Sequence, residues 1–376
     1  MNSPFVYGKI ASNNSFTDRE KDCASLVQDF KNLTNVTIIS PRRWGKSSLV
    51  RRVGEEALRQ DKRLRICYLD IFNVRDENEF YEKLAAAVIK GTSSKIEEIM
   101  GTALKYASAL IPSLTAGDPA TKVSLEFKLK ELSKSADEIL DLAEKIAKDK
   151  KIRIVICIDE FQQISRFKST DAFQSKLRSH WQLHSHVSYC LYGSRRHMMM
   201  DVFTNTEKPF YKFGKIVFLE KIDSEKWPPF ITGNFSKSGK SISVDICREI
   251  VSLVDNNPYY IQQLSEEVWN RTEQNADTEI LSEGFQAIVR SQSGLNLALT
   301  QTLKSSEINL LHAIVMGEHN LSSAEVIRKY NLKSSLNVQR AKKALAAMDI
   351  IDIFGKSVEM EDPIYAYWLK NIYFGA

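Results

Sequence analysis

Five short runs of apolar, β-branched residues alternate with longer helical stretches through the first 220 residues of the chain. The runs cover 36–40, 63–72, 152–159, 187–194 and 215–222. Each is rich enough in apolar and β-branched residues to predict a buried strand. Helical patterns separate the runs, for example at 47–60 and 135–149. This alternation predicts βαβ units, and therefore an α/β fold with a largely parallel sheet covered by helices.

One segment, at about 91–133, interrupts the alternation. It is rich in Ala, Ser, Thr and Lys, and Pro112, Gly117 and Pro119 argue against a single helix. We expect a helical piece and a hairpin-like excursion, inserted before the strand at 152–159.

The strand-like runs stop at about Asp223. Two helical runs lie in 243–272, with a break near Pro258. Three more helical patterns follow, at 304–316, 322–330 and 335–348. After them come two short strand-like runs in 349–362, with a Gly-Lys turn between them. Three helices and a β-hairpin predict a winged helix-turn-helix. A chain of 376 residues is too long for one typical core. The predicted organisation is an α/β core at 1–222, a helical lid at 223–300 and a winged helix at 301–376.

The stretch TIISPRRWGKSSLV, which begins at Thr37, resembles a phosphate-binding loop. Gly45, Lys46 and Ser47 match the end of the pattern G-x-x-x-x-G-K-[ST], whereas Ser40 stands where the first glycine is expected. Backbone N–H groups at the start of a helix, the charge of Lys46 and the hydroxyl of Ser47 suit phosphates and Mg²⁺. Taken alone, the motif also fits an ordinary basic turn at a helix start.

A second motif, IRIVICIDEFQQI, ends an apolar run in Asp159 and Glu160. In a Walker-B arrangement the first carboxylate holds Mg²⁺ and the second orients the attacking water. The alternative is a strand that ends at the surface in an acidic turn. Because this acidic pair lies downstream of a GKS loop, the two motifs together predict a nucleotide site.

The next predicted strand ends at Ser194, which is placed to sense a γ-phosphate. Arg195 and Arg196 follow. These arginines could stabilise charge in the transition state, or they could form a solvated basic turn.

Several motifs occur in a fixed order: FTDREKDCASLVQDF, ISPRRWGKSSL, ICIDEFQQI, YGSRRHMMMDVF, NNPYYIQQL and DPIYAYWL. In these residues the chain resembles the prokaryotic and archaeal ATPase family within the STAND-type AAA+ P-loop NTPases. The resemblance spans nearly the whole chain, and its most specific part is the PRR-x-GK-[ST] loop. It implies a five-stranded parallel sheet in the order 5-1-4-3-2, a helical lid, a winged helix and a nucleotide-driven switch.

The resemblance also implies functional residues. Arg19 would lie beside the adenine and Pro258 near the nucleotide, although Asn256 or Asn257 stands where the family usually has glycine. The loop as a whole would contact the nucleotide through Ser40, Pro41, Arg42, Arg43, Trp44, Gly45, Lys46, Ser47 and Ser48. Trp44 could cover the nucleotide or pack on the sheet edge, and we favour packing.

The sequence offers one other candidate for a metal site, because His180 and His184 are spaced i, i+4 and His186 follows. No glutamate follows His180 in the H-E-x-x-H arrangement, which argues against zinc.

The winged helix carries a basic patch. Its members are Arg328, Lys329, Lys333, Arg340, Lys342 and Lys343, against Glu325 alone. In the last predicted helix Val338, Ala341, Leu345 and Met348 can face the core, which leaves Arg340, Lys342 and Lys343 for DNA or a partner. Residues 301–376 as a whole carry nine Lys and Arg and eight Asp and Glu, a net charge of only +1. A protein-docking role therefore stays open beside DNA binding.

Composition argues against a membrane-spanning or secreted protein. The net charge is +5, no apolar run is long enough for a membrane span, and the N-terminus lacks a signal-peptide pattern. Five scattered cysteines without C-x-x-C spacing favour a reducing, cytoplasmic setting.

The functional prediction is a Mg-ATP-binding ATPase that hydrolyses ATP slowly as a conformational switch coupled to the winged helix. Two alternatives remain. The chain could be a nucleotide-regulated DNA-binding or origin-initiator-like protein, or it could be a protein-interaction scaffold that binds ATP without hydrolysing it. The oligomeric state is left open.

Overall fold

The computed structural model describes residues 3–10, 17–93, 96–106, 110–115, 124–129, 132–355 and 357–375. These residues form two compact units. The sheet unit comprises Arg19–Ser40 and Lys46–Leu219, and the helical unit comprises the described part of Met1–Asp18 with Pro41–Gly45 and Glu220–Ala376.

The strands of the sheet unit are β1 (Val36–Ile39), β2 (Leu64–Asp70), β3 (Leu110–Thr115), β4 (Ser124–Leu129), β5 (Arg153–Asp159), β6 (Val187–Gly193) and β7 (Lys215–Phe218). Five of them form a parallel sheet in the order β2-β5-β6-β1-β7. Counted without the inserted hairpin, this is the order 2-3-4-1-5. Read from the other edge of the sheet it is 5-1-4-3-2, so the predicted P-loop NTPase sheet is confirmed. Strands such as β6 are buried along their whole length, as continuous apolar runs require.

The helices of the sheet unit are α1 (Glu20–Lys31), α2 (Lys46–Gln60), α3 (Glu77–Gly91), α4 (Ile96–Tyr106), α5 (Leu132–Leu140), α6 (Leu142–Lys150), α7 (Thr170–Trp181) and α8 (Arg196–Thr204). The inserted segment contains α4 and the antiparallel pair β3–β4. Its residues 94–95, 107–109, 116–123 and 130–131 lie outside the described part of the chain.

The single helix predicted over 135–149 is observed as two, α5 and α6, with Asp141 between them. The interruption is local, because backbone hydrogen bonds from Asp141 to Asp137 and from Lys145 to Asp141 continue across it. The carboxylate of Asp141 contacts His180 and His184, a long-range interaction that helical periodicity does not encode.

The helical unit contains α9 (Trp227–Lys237), α10 (Val244–Leu253), α11 (Pro258–Arg271), α12 (Thr278–Gln301), α13 (Ser305–Val315), α14 (Ala324–Lys329), α15 (Ser335–Ala347) and α16 (Pro363–Trp368). The antiparallel strands β8 (Ile351–Phe354) and β9 (Ser357–Met360) lie between α15 and α16. Together α13, α14, α15 and this hairpin form the predicted winged helix. The turn between the strands includes Lys356, which is outside the described residues.

One hydrophobic core runs through the helical unit. Trp227 and Phe285 of the predicted lid belong to the same buried cluster as Leu310, Leu345 and Trp368 of the predicted winged helix. The boundary that we expect at about residue 300 therefore falls inside one packed unit.

Candidate nucleotide site

The predicted catalytic residues of the sheet unit lie where neighbouring strands end. β5 ends at Asp159, β6 ends one residue before Ser194, and β1 lies next to β6 with Ile39 paired to Gly193. The carboxyl ends of adjacent parallel strands meet at one edge of a sheet, and ligands of open α/β folds bind there. Helix α2 begins with Lys46 and Ser47.

Two contacts connect the loop motif to the acidic pair. The Ser47 hydroxyl donates a hydrogen bond to Asp159 Oδ2 at 2.7 Å. Lys46 Nζ lies 3.8 Å from Glu160 Oε1, and only 8% of Lys46 is exposed. The structure thus brings a lysine, a hydroxyl and two carboxylates together from positions more than 110 residues apart in sequence.

Ser194 completes this cluster. It is buried, and its hydroxyl donates a hydrogen bond to Glu160 Oε2 at 2.9 Å. We call Lys46, Ser47, Asp159, Glu160 and Ser194 the catalytic cluster.

The environment of Asp159 is unfavourable for its ionised form. Burial raises the pKa of Asp159, while the Lys46 charge and the hydrogen bond from Ser47 act in the opposite direction without cancelling this effect. A buried carboxylate with a raised pKa is stabilised by a nearby cation.

The backbone turns sharply after Asp159. Glu160 has a φ of 56°, and its N–H donates a hydrogen bond to Asp159 Oδ1 at 2.8 Å. A short 3₁₀ helix, Phe161–Arg166, follows and carries Gln162, whose side-chain amide donates to Glu160 Oε2. The motif IDEFQ places Gln162 two residues after Glu160, but no pattern in the sequence predicts a role for it.

The loop residues Pro41–Gly45 belong to the helical unit. Arg43 donates hydrogen bonds from Nη1 to the Tyr260 hydroxyl at 2.7 Å and to Asp362 Oδ2 at 3.0 Å. Arg42 Nη2 lies 3.3 Å from Asp349 Oδ2. Both predicted phosphate-loop arginines are therefore ion-paired with carboxylates that flank strands and helices of the winged helix.

The two glycine positions of the phosphate-loop pattern, occupied here by Ser40 and Gly45, differ in backbone conformation and burial. Gly45 has a φ of 86°, and a Cβ there would meet nothing within 4 Å, so the backbone conformation and not the space requires glycine. Ser40, which replaces the first glycine of the pattern, is fully buried directly after β1. Ser48, inside α2, is also buried.

In the NNP motif, Asn256 adopts the backbone conformation that would otherwise favour glycine. Asn256 has a φ of 53°, in the left-handed region that favours glycine and that asparagine tolerates better than most residues. Its side chain accepts a hydrogen bond from Trp227 Nε1 at 2.8 Å. Asn257 caps α11 by accepting from the Tyr259 N–H, and Pro258 is the first residue of that helix.

Arg19 and Trp44 are the other two residues that the resemblance implied. Arg19 precedes α1 with a φ of 74°, is 7% exposed and lies 3.3 Å from Asp22. Trp44 is half-buried in the helical unit, where the Lys221 ammonium lies 5.9 Å from its ring centroid.

Two family models match the sequence of the chain. Residues 16–264 match the model of a family described as an ATPase domain predominantly from Archaea. The chain belongs to this archaeal ATPase family. Residues 297–371 of this archaeal-family ATPase match a second model, described as a probable winged helix domain. No curated protein matches the sequence.

Solved structures are similar to this ATPase in fold. The Walker-type ATPase of Pyrococcus abyssi superposes with a TM-score of 0.67 at 17% identity, covering 95% of this chain and 97% of that one. The ORC2 protein of Aeropyrum pernix, in ADPNP-ADP complexes, gives a TM-score of 0.59 at 13% identity over 98% of this chain and 94% of that one. The ORC1 protein of A. pernix in complex with DNA gives 0.50 at 11% identity over 96% and 93%.

The three histidines of the candidate metal site are paired with carboxylates. His180 Nδ1 lies 2.8 Å and His184 Nε2 3.4 Å from Asp141 Oδ1, and His186 Nδ1 lies 2.9 Å from Glu144 Oε1. Within the described ranges, no group of three or more His, Cys, Asp and Glu side chains has the arrangement of a metal site.

The winged helix of the ATPase exposes only part of the predicted basic patch on α15. Arg340 and Lys343 are exposed, whereas Lys342 is half-buried and burial lowers its pKa. The prediction that Met348 faces the core is wrong. α15 ends at Ala347, so Met348 falls outside the helical register, and 42% of it is exposed.

None of the helices described for this ATPase combines the length and the apolar character that crossing a bilayer requires.

Proposed function

We propose that the chain is a STAND-type ATPase that binds Mg-ATP and hydrolyses it slowly. The observation that carries this proposal is the catalytic cluster, in which Lys46 and Ser47 meet Asp159 and Glu160 within hydrogen-bond or ion-pair distance. All five cysteines are free, which supports the proposed cytoplasmic setting.

Each member of the cluster has a proposed role. Lys46 binds the β- and γ-phosphates as a point charge, and Ser194 contacts the γ-phosphate. Glu160 orients the attacking water. Loop N–H groups around Gly45 and Ser48 bind phosphate oxygens at the start of α2.

Ser47 and Asp159 fit a magnesium site. A hydroxyl and a carboxylate oxygen lie 2.7 Å apart, and burial raises the pKa of Asp159, so its ionised form gains from a neighbouring cation. When bound, Mg²⁺ neutralises charge on the phosphate oxygens.

The contacts of Glu160 support slow turnover. One of its oxygens already accepts hydrogen bonds from Ser194 and Gln162, and the other faces Lys46. An attacking water must therefore displace Lys46 from the remaining oxygen before Glu160 can orient it.

Nucleotide binding is tested by thermal unfolding with ATP and Mg²⁺. A ligand that binds only the folded state at 100 times its Kd stabilises that state by about 2.7 kcal/mol. We therefore expect the Tm to rise with ATP concentration in the wild-type protein. A Tm that is independent of ATP at millimolar concentration contradicts the proposal.

The arginine contacts of the loop support the switch. Arg42 and Arg43 stand between Ser40 and Lys46, where a phosphate-binding loop presents positive charge to its anion. In the structure their guanidinium groups are held by Asp349 and Asp362. We propose that nucleotide phosphates and these carboxylates compete for the same two arginines, so that binding loosens the hold of the winged helix on the loop.

Asp362→Asn tests this competition. Asp362 Oδ1 caps α16, accepting from the N–H groups of Ile364 and Tyr365, whereas Oδ2 accepts from Arg43 and Tyr260. Asparagine keeps the cap and removes the charge. We expect ATP affinity to increase by about fivefold or more, because coupling energies between sites are typically 5- to 150-fold.

The measurement is an ATP titration of both proteins. Glu325→Gln removes an exposed carboxylate from α14 in the same unit and should leave the affinity unchanged. Equal ATP affinity in Asp362→Asn and the wild-type protein would show that the phosphates and Asp362 do not compete for Arg43.

A second candidate function is nucleotide-regulated DNA binding. It is favoured by the exposed side chains of Arg340 and Lys343 on α15, the second helix of the helix-turn-helix, with Arg328 and Lys333 exposed on and after α14. One protein of similar fold, ORC1 of A. pernix, was solved in complex with DNA.

The double variant Arg340→Ala, Lys343→Ala tests this candidate. If both cations contact phosphates, binding to duplex DNA should weaken and the slope of log K against log salt should fall by about 2. Lys226→Ala, Lys237→Ala removes the same charge from exposed positions near α9 and serves as the control. DNA binding that responds equally to both pairs excludes α15 as the contact.

A further inference from the structure

One buried side chain beside the catalytic cluster has a polar atom without a partner. Gln162 is 2% exposed, and its Nε2 donates to Glu160 Oε2. Its Oε1 is buried and has no hydrogen-bond partner among the described residues. Burying an amide oxygen without a partner is unfavourable, so stability alone does not explain a glutamine here.

Gly193 provides the space that this amide occupies. A Cβ at Gly193 would lie 1.9 Å from Gln162 Oε1 and 3.0 Å from Gln162 Cδ and Met199 Sδ. The backbone of Gly193 is ordinary strand, so its conformation does not require glycine. A side chain at Gly193, the last residue of β6, would therefore displace the Gln162 amide from its present position.

The amide determines how Glu160 is presented. Gln162 and Ser194 both donate to Oε2, which leaves Oε1 as the oxygen that faces Lys46. Because two donors come from different elements, the 3₁₀ helix and the end of β6, the carboxylate is fixed in rotation as well as in position.

We propose that Gln162 is a positioning residue for ATP hydrolysis. By donating to Oε2 of Glu160, the Gln162 amide leaves Oε1 to orient the attacking water, and the absence of a side chain at Gly193 leaves space for this amide. This assignment rests on the proposed ATPase function. The hydrogen bond described between Gln162 and the cluster goes to the Glu160 carboxylate, so Gln162 acts on turnover and leaves nucleotide binding to Lys46 and the loop.

Two variants test the assignment by different routes. Gln162→Met keeps the length of the side chain and removes the amide, whereas Gly193→Ala displaces the amide without changing it. We expect kcat to fall by about 10- to 100-fold in both, as expected for a misplaced catalytic group, with the KM for ATP within about twofold of wild type.

Gln163→Met is the matched control. Gln163 is the next residue of the same 3₁₀ helix. Its side chain donates a described hydrogen bond to the Val74 carbonyl oxygen at 3.4 Å, and its backbone N–H donates to the Glu160 carbonyl oxygen, a contact that methionine keeps. Its kcat and KM should match those of the wild-type protein. Gln162→Met removes both an amide oxygen that lacks a partner and the donor to Glu160, two opposing effects, so its Tm should stay close to the wild-type value.

The outcomes separate the two proposals. Normal turnover in both the wild-type protein and Gln162→Met removes the positioning role and leaves the ATPase function standing. A lowered Tm with unchanged kcat assigns Gln162 a structural role instead. If the wild-type protein binds ATP but releases no phosphate, the proposed hydrolysis fails and the positioning role fails with it.

Discussion

Lys46→Ala is expected to abolish measurable ATP binding. Lys46 is buried, and its ammonium group faces the catalytic cluster, where it lies 3.8 Å from Glu160. The variant removes the ammonium group that would pair with the nucleotide phosphates. Losing one partner of a buried charge pair typically weakens the binding free energy by about 2–5 kcal/mol, which is about 30- to 5,000-fold in affinity. Calorimetric titration with ATP and Mg²⁺ measures the change directly.

The control for this variant is Lys145→Ala, which removes an exposed lysine from α6 in the same sheet unit. Its ATP affinity should equal that of the wild-type protein. Unchanged affinity in Lys46→Ala itself would overturn the assignment of the phosphate site.

Glu160→Gln is expected to preserve ATP binding and to lower turnover by about 100-fold or more, the usual contribution of a general base. Glutamine keeps an oxygen that can accept from Ser194, so the shape of the cluster should survive. Steady-state phosphate release and an ATP titration on the same protein separate the two effects.

Glu55→Gln, an exposed change on α2, is the matched control and should leave both quantities unaltered. Turnover at the wild-type rate in Glu160→Gln would exclude Glu160 as the residue that orients water.

Much of the fold and the catalytic cluster could be predicted from sequence because the deciding signals are local. Buried parallel strands appear as continuous apolar runs, and a parallel sheet brings their carboxyl ends together. The convergence of Lys46, Asp159 and Ser194 follows from these two facts alone. The cap residues of the winged helix, such as Ser334 before α15, are equally local.

The contacts of the loop arginines could not be predicted in this way. Arg43 and Asp362 are separated by 319 residues, and only the packing of the helical unit brings them to 3.0 Å. The role of Gln162 is similar, because its significance depends on the space left at Gly193. The shared core of lid and winged helix is also a property of packing that periodicity does not reveal.

The most direct test of the central claim is a single-turnover measurement, in which excess wild-type protein is mixed with ATP and the bound nucleotide is identified over time. We expect ATP to be converted to ADP and phosphate only when Mg²⁺ is present, and more slowly than the about 10 s⁻¹ that is typical of enzymes. Bound ATP that stays intact with Mg²⁺ present would contradict the account and favour a scaffold that binds nucleotide without hydrolysing it.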